Sequence, residues 1–416
     1  MNTYEGIKNF KTYRTKKNFV SFVFLAFVFF NILFLSSCTD ENKGKENKKS
    51  NESSNNTKEV KEEKEEKEDI KVKALYLTGW NAGLDDKLEY FIDLINKTEV
   101  NSVVLNVKDD DGYIGYKTEI PSVKEFGGWK QKYYPKKVIK KLHENNIHVI
   151  GRVVCFKDPV LSLKRPDLAI KDRNGDLFYA KEITWLDPYK RDSWPIILET
   201  AKEAVKFGFD EIQFDYIRFS NDGNRDAMVF DDGGLERYEI INEFIAYIRK
   251  EMPDVVLSGD VFGIICESPK DTEQIGQYLE YIGKDHLDYL SPMVYPSHYR
   301  IGQKINGIPF EKPDFKPYEV VFNTMVKAKE RVSKVKDYRA KMRPYLQDFD
   351  ATWLGDGYYK DYGAEDVRAQ IKAVYDAGYE EWILWNSVNK YSTEALLTEE
   401  EAKEETKNKN KDKNKD

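Results

Sequence analysis

A single (β/α)8 barrel, of the α/β class, is the fold that this sequence predicts. Three observations point there. Eight strand-like segments alternate with seven helical patterns between residues 71 and 393. Several of these segments are continuous apolar runs, as in a parallel sheet buried on both faces. Polar residues gather at their C-terminal ends, the face where such barrels carry chemistry. The stretch has no break in composition, and its length suits one barrel.

The first strand is read at Lys73–Thr78 (KALYLT), followed by an amphipathic pattern at Asp85–Asn96. The second is Ser102–Val107 (SVVLNV), with a helix at Pro135–Asn145. The third is His148–Val154 (HVIGRVV), with a helix at Asp192–Phe207. The fourth is Glu211–Phe219, with a helix at Leu235–Glu251. The fifth is Val255–Asp260 (VVLSGD), with a helix at Thr272–Ile282, and the sixth is Tyr289–Tyr295 (YLSPMVY), with a helix at Tyr318–Arg339. The seventh is Arg343–Gln347 (RPYLQ), with a helix at Ala364–Ala377, and the eighth is Glu381–Trp385 (EWILW). Extra loop length follows strands two, three and six.

Residues 1–38 read as an address. Lys8, Lys11, Arg14, Lys16 and Lys17 precede an apolar run from Phe19 to Leu35, which ends in Leu-Ser-Ser-Cys at Cys38. A basic segment, an apolar segment and small residues before a cut form a secretory signal. Its end is similar to the bacterial lipobox, in which the cysteine is lipidated. The rival reading is a plain N-terminal membrane helix. Residues 39–70 are Asn, Lys, Glu and Ser with little to bury, so a solvated tether is expected. Extended, it reaches on the order of 110 Å. Residues 394–416 are read as a disordered polar tail. The expected location is the bacterial cell envelope, with the membrane contacted through Cys38.

The net charge of −7 is spread in mixed runs, which excludes a nucleic-acid patch. With Cys38 assigned, Cys155 and Cys266 make neither a disulfide framework nor a zinc site. The sequence holds no Walker loop, dinucleotide fingerprint or His-Glu-x-x-His, so neither a cofactor nor a metal is expected. Asp109–Asp111 beside Gly112 lack the spacing of a calcium loop and read as a solvated turn.

The fourth strand carries the strongest candidate. Gln213 and Asp215 lie two apart and share a face, while Ile212, Phe214 and Tyr216 take the other. A buried aspartate is costly unless paired or used; Arg218 is its simplest structural partner. Ser258 and Asp260 share a face of strand five in the same way. Strand seven ends in Gln347 and Asp348. Carboxylates facing one cavity push their pKa values apart, giving one protonated acid and one ionised base or nucleophile. Glycoside hydrolysis needs that pair. Asp215 is therefore read as nucleophile or base, Asp260 as general acid, and Asp348 as a supporting charge. Gln213, Arg152, Asp109, Lys108, Tyr295, His298 and Asn386 are expected to position or contact sugar, with Arg152 equally able to hold Asp215. Trp80 and Trp185 offer flat faces to sugar rings, as do Tyr113, Trp129, Trp353 and Trp385.

Several segments also carry a resemblance: YLTGWNAG (Tyr76–Gly83), VKDDDG (Val107–Gly112), RVVCFKDP (Arg152–Pro159), QFDYIRF (Gln213–Phe219), GDVFG (Gly259–Gly263), SPMVYPSHY (Ser291–Tyr299), RPYLQDF (Arg343–Phe349) and WNSVNKY (Trp385–Tyr391). Together they resemble a bacterial family of glycosyl-hydrolase-like barrels of unknown function, distantly similar to alpha-amylase-type hydrolases. The resemblance implies an Asp nucleophile at strand four, a Glu acid at strand five and a supporting Asp at strand seven. Asp215 matches the first by position. Asp260 stands where the resemblance implies Glu, and Asp348 falls near the third. The reading is a lipid-anchored glycoside hydrolase acting on a polysaccharide or envelope glycan. The alternatives are a non-catalytic glycan-binding barrel and a structural envelope lipoprotein.

Overall fold

The computed structural model describes residues 70–398 and 400–405. The predicted signal, Cys38 and the tether up to residue 69 lie outside the described residues.

Eight parallel strands close into a barrel. They are β1 (Lys73–Leu77), β2 (Ser102–Lys108), β3 (His148–Val154), β4 (Glu211–Asp215), β5 (Val256–Phe262) and β6 (Tyr289–Met293). β7 comes in two pieces, Lys341–Met342 and Tyr345–Gln347, and β8 is Trp382–Trp385. Pro344, which has no N–H to give a ladder, lies between the two pieces of β7. Strands pair in chain order, β8 pairs with β1, and Tyr345 meets Met293 to close the ring.

Helices cover the outside at Asp85–Asn96, Pro135–His143, Trp194–Phe207, Arg237–Glu251, Pro317–Val332 and Ala364–Asp376. Pro135, Pro195 and Pro317 sit in first turns, where a missing N–H costs nothing. Gly208, at φ +103°, stops the Trp194–Phe207 helix in the left-handed conformation that glycine adopts freely.

The apolar residues form two layers. The larger lies between strands and helices and takes Ile212 and Phe214 of β4. The smaller fills the barrel interior with Ala74, Tyr76, Val104, Ile150, Tyr345 and Ile383. Glu211, Gln213 and Asp215 of β4 face this interior, so the barrel carries polar layers rather than a wholly aliphatic plug. At the bottom, Arg343 pairs with Glu211 through Nη1 to Oε2 at 3.2 Å and Nη2 to Oε1, and Ser258 Oγ donates to Oε1 at 2.5 Å. Above it, Gln213 accepts from Tyr345 Oη at 2.5 Å and donates to Ser291 Oγ at 3.3 Å. Asp215 begins the top layer.

Three expectations change. β4 ends at Asp215, not Phe219, because Tyr216 takes φ +51°. A bulky residue is rarely held there, and such strain gathers at functional sites. The helix expected over Thr272–Ile282 is reduced to Leu279–Ile282. The Asp271 carboxylate instead takes the N–H groups of Ile275 (3.0 Å) and Gly276 (2.8 Å), which a helix would have used. Finally, the chain past 394 is not all tail. Ala395 and Leu396 are buried, Leu397 accepts from Glu99 N at 2.7 Å, and Glu405 pairs with Arg368.

The long connections follow the strands' C-terminal ends. The one after β6 holds a hairpin, Gln303–Ile305 with Ile308–Phe310. Asn306 (φ +50°) and Gly307 (φ +81°) make its two-residue turn, the pair that such a turn demands.

Candidate active site

A cavity of about 870 Å³ opens at the C-terminal ends of the strands. Asp215 and Asp260 both line it, with Arg152, Tyr295, Tyr345 and Trp385 around them.

Asp215 is held on every side. Arg152 Nε reaches its Oδ2 at 2.9 Å and Nη2 the same oxygen at 2.5 Å. Oδ1 accepts from Tyr216 N at 2.6 Å, a bond that the strained turn provides. Arg152 is in turn fixed by Asn106 Oδ1 at 3.0 Å, and Asn106 Nδ2 donates to Tyr76 Oη at 2.7 Å. Tyr76 stacks on Trp385, ring centres 3.9 Å apart, and the guanidinium lies 5.5 Å from the Trp385 ring. Asp215's ion pair is therefore with Arg152 and not with Arg218, the partner that lies nearest in sequence.

Asp260 is the opposite case. It is 2% exposed, and its Oδ1 is buried without a hydrogen-bond partner. Burial first, and then the neighbouring Asp215, push its pKa well above the usual carboxylate range. Arg152 opposes this through space, but its hydrogen bonds go to Asp215. One carboxylate is ion-paired and fixed; the other is kept neutral.

Tyr295 is buried beside the two acids, and burial above all pushes its phenol pKa well above the usual value. His298 sits at the mouth, edge-on to Tyr295 and Trp353, with Nδ1 3.1 Å from Ser297 Oγ. Gln213 lies one layer down and orients Tyr345.

The other predicted residues fall elsewhere. Asp348 is a correction: its carboxylate accepts from Ser392 N (2.8 Å) and Oγ (2.9 Å), tying the chain after β8 to β7, and it does not line the cavity. Asn386 donates to the Asp348 carbonyl at 2.5 Å and folds the same loop. Lys108 is spent on Asp158 (2.8 Å) and the Val154 carbonyl (2.9 Å). Asp109 pairs with Lys132 at 3.1 Å and lies 3.8 Å from Arg152; Asp111 shares Lys132, and Asp110 takes Lys157 at 2.7 Å. The acidic run is therefore matched by lysines. Trp185 is buried behind Tyr216. Trp80 is 59% exposed and stands outside the cavity lining.

Tyr76, Asn106 and Tyr345 are site residues that the strand-end reading did not assign. Their signal was the barrel-facing register of β1, β2 and β7, one step below the rim.

The family described as "Putative glycosyl hydrolase domain" matches residues 74–391. A search of curated proteins finds no match. Among solved structures, a hypothetical protein from Ruminiclostridium thermocellum ATCC 27405 is 59% identical, over 46% of this chain and 99% of that one, with a TM-score of 0.44. The glycoside hydrolase domain of PgaB (BpsB) from Bordetella bronchiseptica is 14% identical, over 78% of this chain and 98% of that one, with a TM-score of 0.57. The alpha-galactosidase TtGalA from Thermus thermophilus is 11% identical, over 80% and 61%, with a TM-score of 0.47. The Bordetella likeness shows a shared barrel fold.

Proposed function

The chain belongs to this glycosyl hydrolase family, and from that premise we propose that it cleaves a glycosidic bond with Asp260 as general acid and Asp215 as nucleophile or base. The observation that carries the reading is the Asp260 carboxyl, buried, without a bond to Oδ1 and held neutral beside an ion-paired aspartate. A carboxyl that keeps its proton near neutral pH can donate it. The proton passes to the glycosidic oxygen, and the bond from that oxygen to the anomeric carbon breaks with its electron pair on the leaving oxygen. Asp215 then attacks the anomeric carbon, and water displaces it from the sugar while giving a proton back to Asp260; or Asp215 takes a proton from a water that attacks directly. Arg152 fixes which oxygen of Asp215 is presented, since both its hydrogen bonds fall on Oδ2. The Trp385 face and the Tyr295 hydroxyl supply surface for a sugar ring.

The test is turnover on a panel of envelope and host glycans by the wild type, Asp215→Asn and Asp260→Asn. Loss of a general acid or base is worth roughly 10²–10⁴ in rate. Wild-type activity should fall on the alkaline side as Asp260 gives up its proton, and Asp260→Asn should lose that limb. Both variants turning over at the wild-type rate would sink the mechanism. The second reading, a barrel that binds glycan without cleaving it, is favoured by the occupation of both Asp215 oxygens; it predicts affinity with no released product. The Leu-Ser-Ser-Cys sequence supports an envelope location through lipid on Cys38. Cys38→Ala should then move the protein to the soluble fraction, and its staying in the membrane fraction would remove that placement.

A further inference from the structure

Arg218 stands just past the Tyr216 turn, 5% exposed, on the wall of the same cavity. Its Nη1 donates to the Phe219 carbonyl at 2.9 Å and to Asn221 Oδ1 at 3.1 Å, both neutral acceptors. Among the described residues Nε and Nη2 have no acceptor, and no carboxylate lies within ion-pair distance. Neither atom is sealed in protein, and Arg218 is one of the residues that line the cavity. Three rings hold the group in place: its central carbon lies 4.4 Å from the Phe262 ring, 4.9 Å from Trp185 and 5.0 Å from Tyr216. The rings orient the guanidinium and exclude water, but they do not neutralise it.

A buried cation without a counter-ion is costly, and proteins rarely keep one idle. Arg152 shows the usual solution in the same cavity, a carboxylate at hydrogen-bond distance. The surroundings sharpen the contrast. Asp215 is already matched by Arg152, and Asp260 holds its proton. Arg300 and Lys304 add positive charge to the cavity lining; Glu267 and Glu273 are the other acids in it, and burial raises the pKa of Glu267. The chain as a whole carries −7. The cavity that holds the two acids thus keeps a fixed cation with no carboxylate at ion-pair distance among the described residues.

Building on the proposed glycosidase reading, we propose that Arg218 receives a carboxylate on the substrate, so that the glycan taken here is an acidic one. The free Nε and Nη2 edge is the fork that binds a carboxylate with two parallel bonds. The carboxylate could come from a hexuronic acid or from a lactyl ether on an amino sugar; the chemistry read by Arg218 is the same.

Calorimetry on the whole protein tests this with four probes: tetragalacturonate, its carboxyl-reduced neutral form, an N-acetylmuramic-acid disaccharide, and chitobiose as its neutral counterpart. The wild type should bind at least one acidic probe about tenfold or more tightly than its neutral partner, the scale of one charge-assisted pair. The acidic member that binds identifies the source. Arg218→Met, which keeps a long apolar stem between the rings, should lose the preference, and Arg218→Lys should recover part of it. Equal affinity for acidic and neutral probes, no binding of either acid, or a preference kept in a folded Arg218→Met protein would overturn the proposal. Turnover is not read in this assay, so an acid preference without hydrolysis would spare Arg218 and count against the catalytic reading alone.

Discussion

Replacing Arg343 by Met should destabilise the barrel by about 3–5 kcal/mol at pH 7, the cost of stranding one member of a buried ion pair. Arg343 is 0% exposed and Glu211 1%. Burial works to raise the Glu211 pKa, but Arg343 and then His148 prevail and hold it at about 2, against 4.5 for a free glutamate. A depressed carboxylate stabilises the fold above its unfolded pKa and loses that contribution as pH falls toward the folded one. The span from 4.5 to about 2, at 1.36 kcal/mol per unit, is worth about 3 kcal/mol. Methionine keeps the length of the side chain and removes the charge, leaving the carboxylate in a dry layer. Urea unfolding at pH 7 and pH 5 reads the effect. The deficit should shrink at pH 5, where the stranded Glu211 takes up a proton. The double variant Glu211→Gln/Arg343→Met should recover most of the loss, since Arg343 Nε already lacks a partner and the neutral pair strands less. A single variant within about 0.5 kcal/mol of wild type, or a loss independent of pH, would refute the reasoning.

Asp260→Asn should raise stability near pH 7 while it removes turnover. The folded-state pKa of Asp260 is raised, so its protonated form stabilises the fold fully below the unfolded pKa and progressively less as pH rises; asparagine removes that loss. Melting curves of variant and wild type should converge near pH 4, and a variant no more stable at pH 7 would count against a buried neutral acid. Asp348→Asn should change stability by no more than about 1 kcal/mol, because weaker bonds to Ser392 are offset by relief of a buried carboxylate whose pKa burial raises, and should leave turnover within a few-fold of wild type; a large loss of rate would return Asp348 to the catalytic set.

The barrel was legible because each strand is a short apolar run with its polar residues at one end, and each helix has its own period. Helix bounds such as Asp85–Asn96 could be read directly. Facing was legible where two polar residues lie two apart, as at Gln213 and Asp215 or Ser258 and Asp260. It failed where the backbone leaves the strand. Tyr216 turns left-handed, so Arg218 no longer follows the strand's alternation, and Asp215 finds its cation on the neighbouring strand β3. Asp348 follows the last residue of β7, and its carboxylate turns to Ser392, forty-four residues on, a partner no local pattern announces. Trp80 and Trp185 carry the same side chain near strand ends, yet one is exposed and the other sealed, because tertiary packing and not residue type decides which ring meets solvent.

The division of labour between the two acids follows from one asymmetry. Asp215 and Asp260 sit at the same level of the same cavity, on neighbouring strands, and nothing in their residue type separates them. Arg152 breaks the tie: it extends from β3, next to β4 in the barrel, and both its hydrogen bonds to acid fall on Asp215. Its remaining bond goes to Asn106, and the stack of Tyr76 on Trp385 leaves the guanidinium little freedom to turn toward β5. Asp260, on the adjoining strand β5, has no hydrogen-bonded cation; burial and then Asp215 push its pKa up, and Arg152 and Arg343 oppose this only through space. In the proposed mechanism, the difference between acid and base therefore rests on a residue on neither acid's strand. Removing Arg152 would then take away both the ion pair that holds Asp215 and one of the charges that oppose the raised pKa of Asp260.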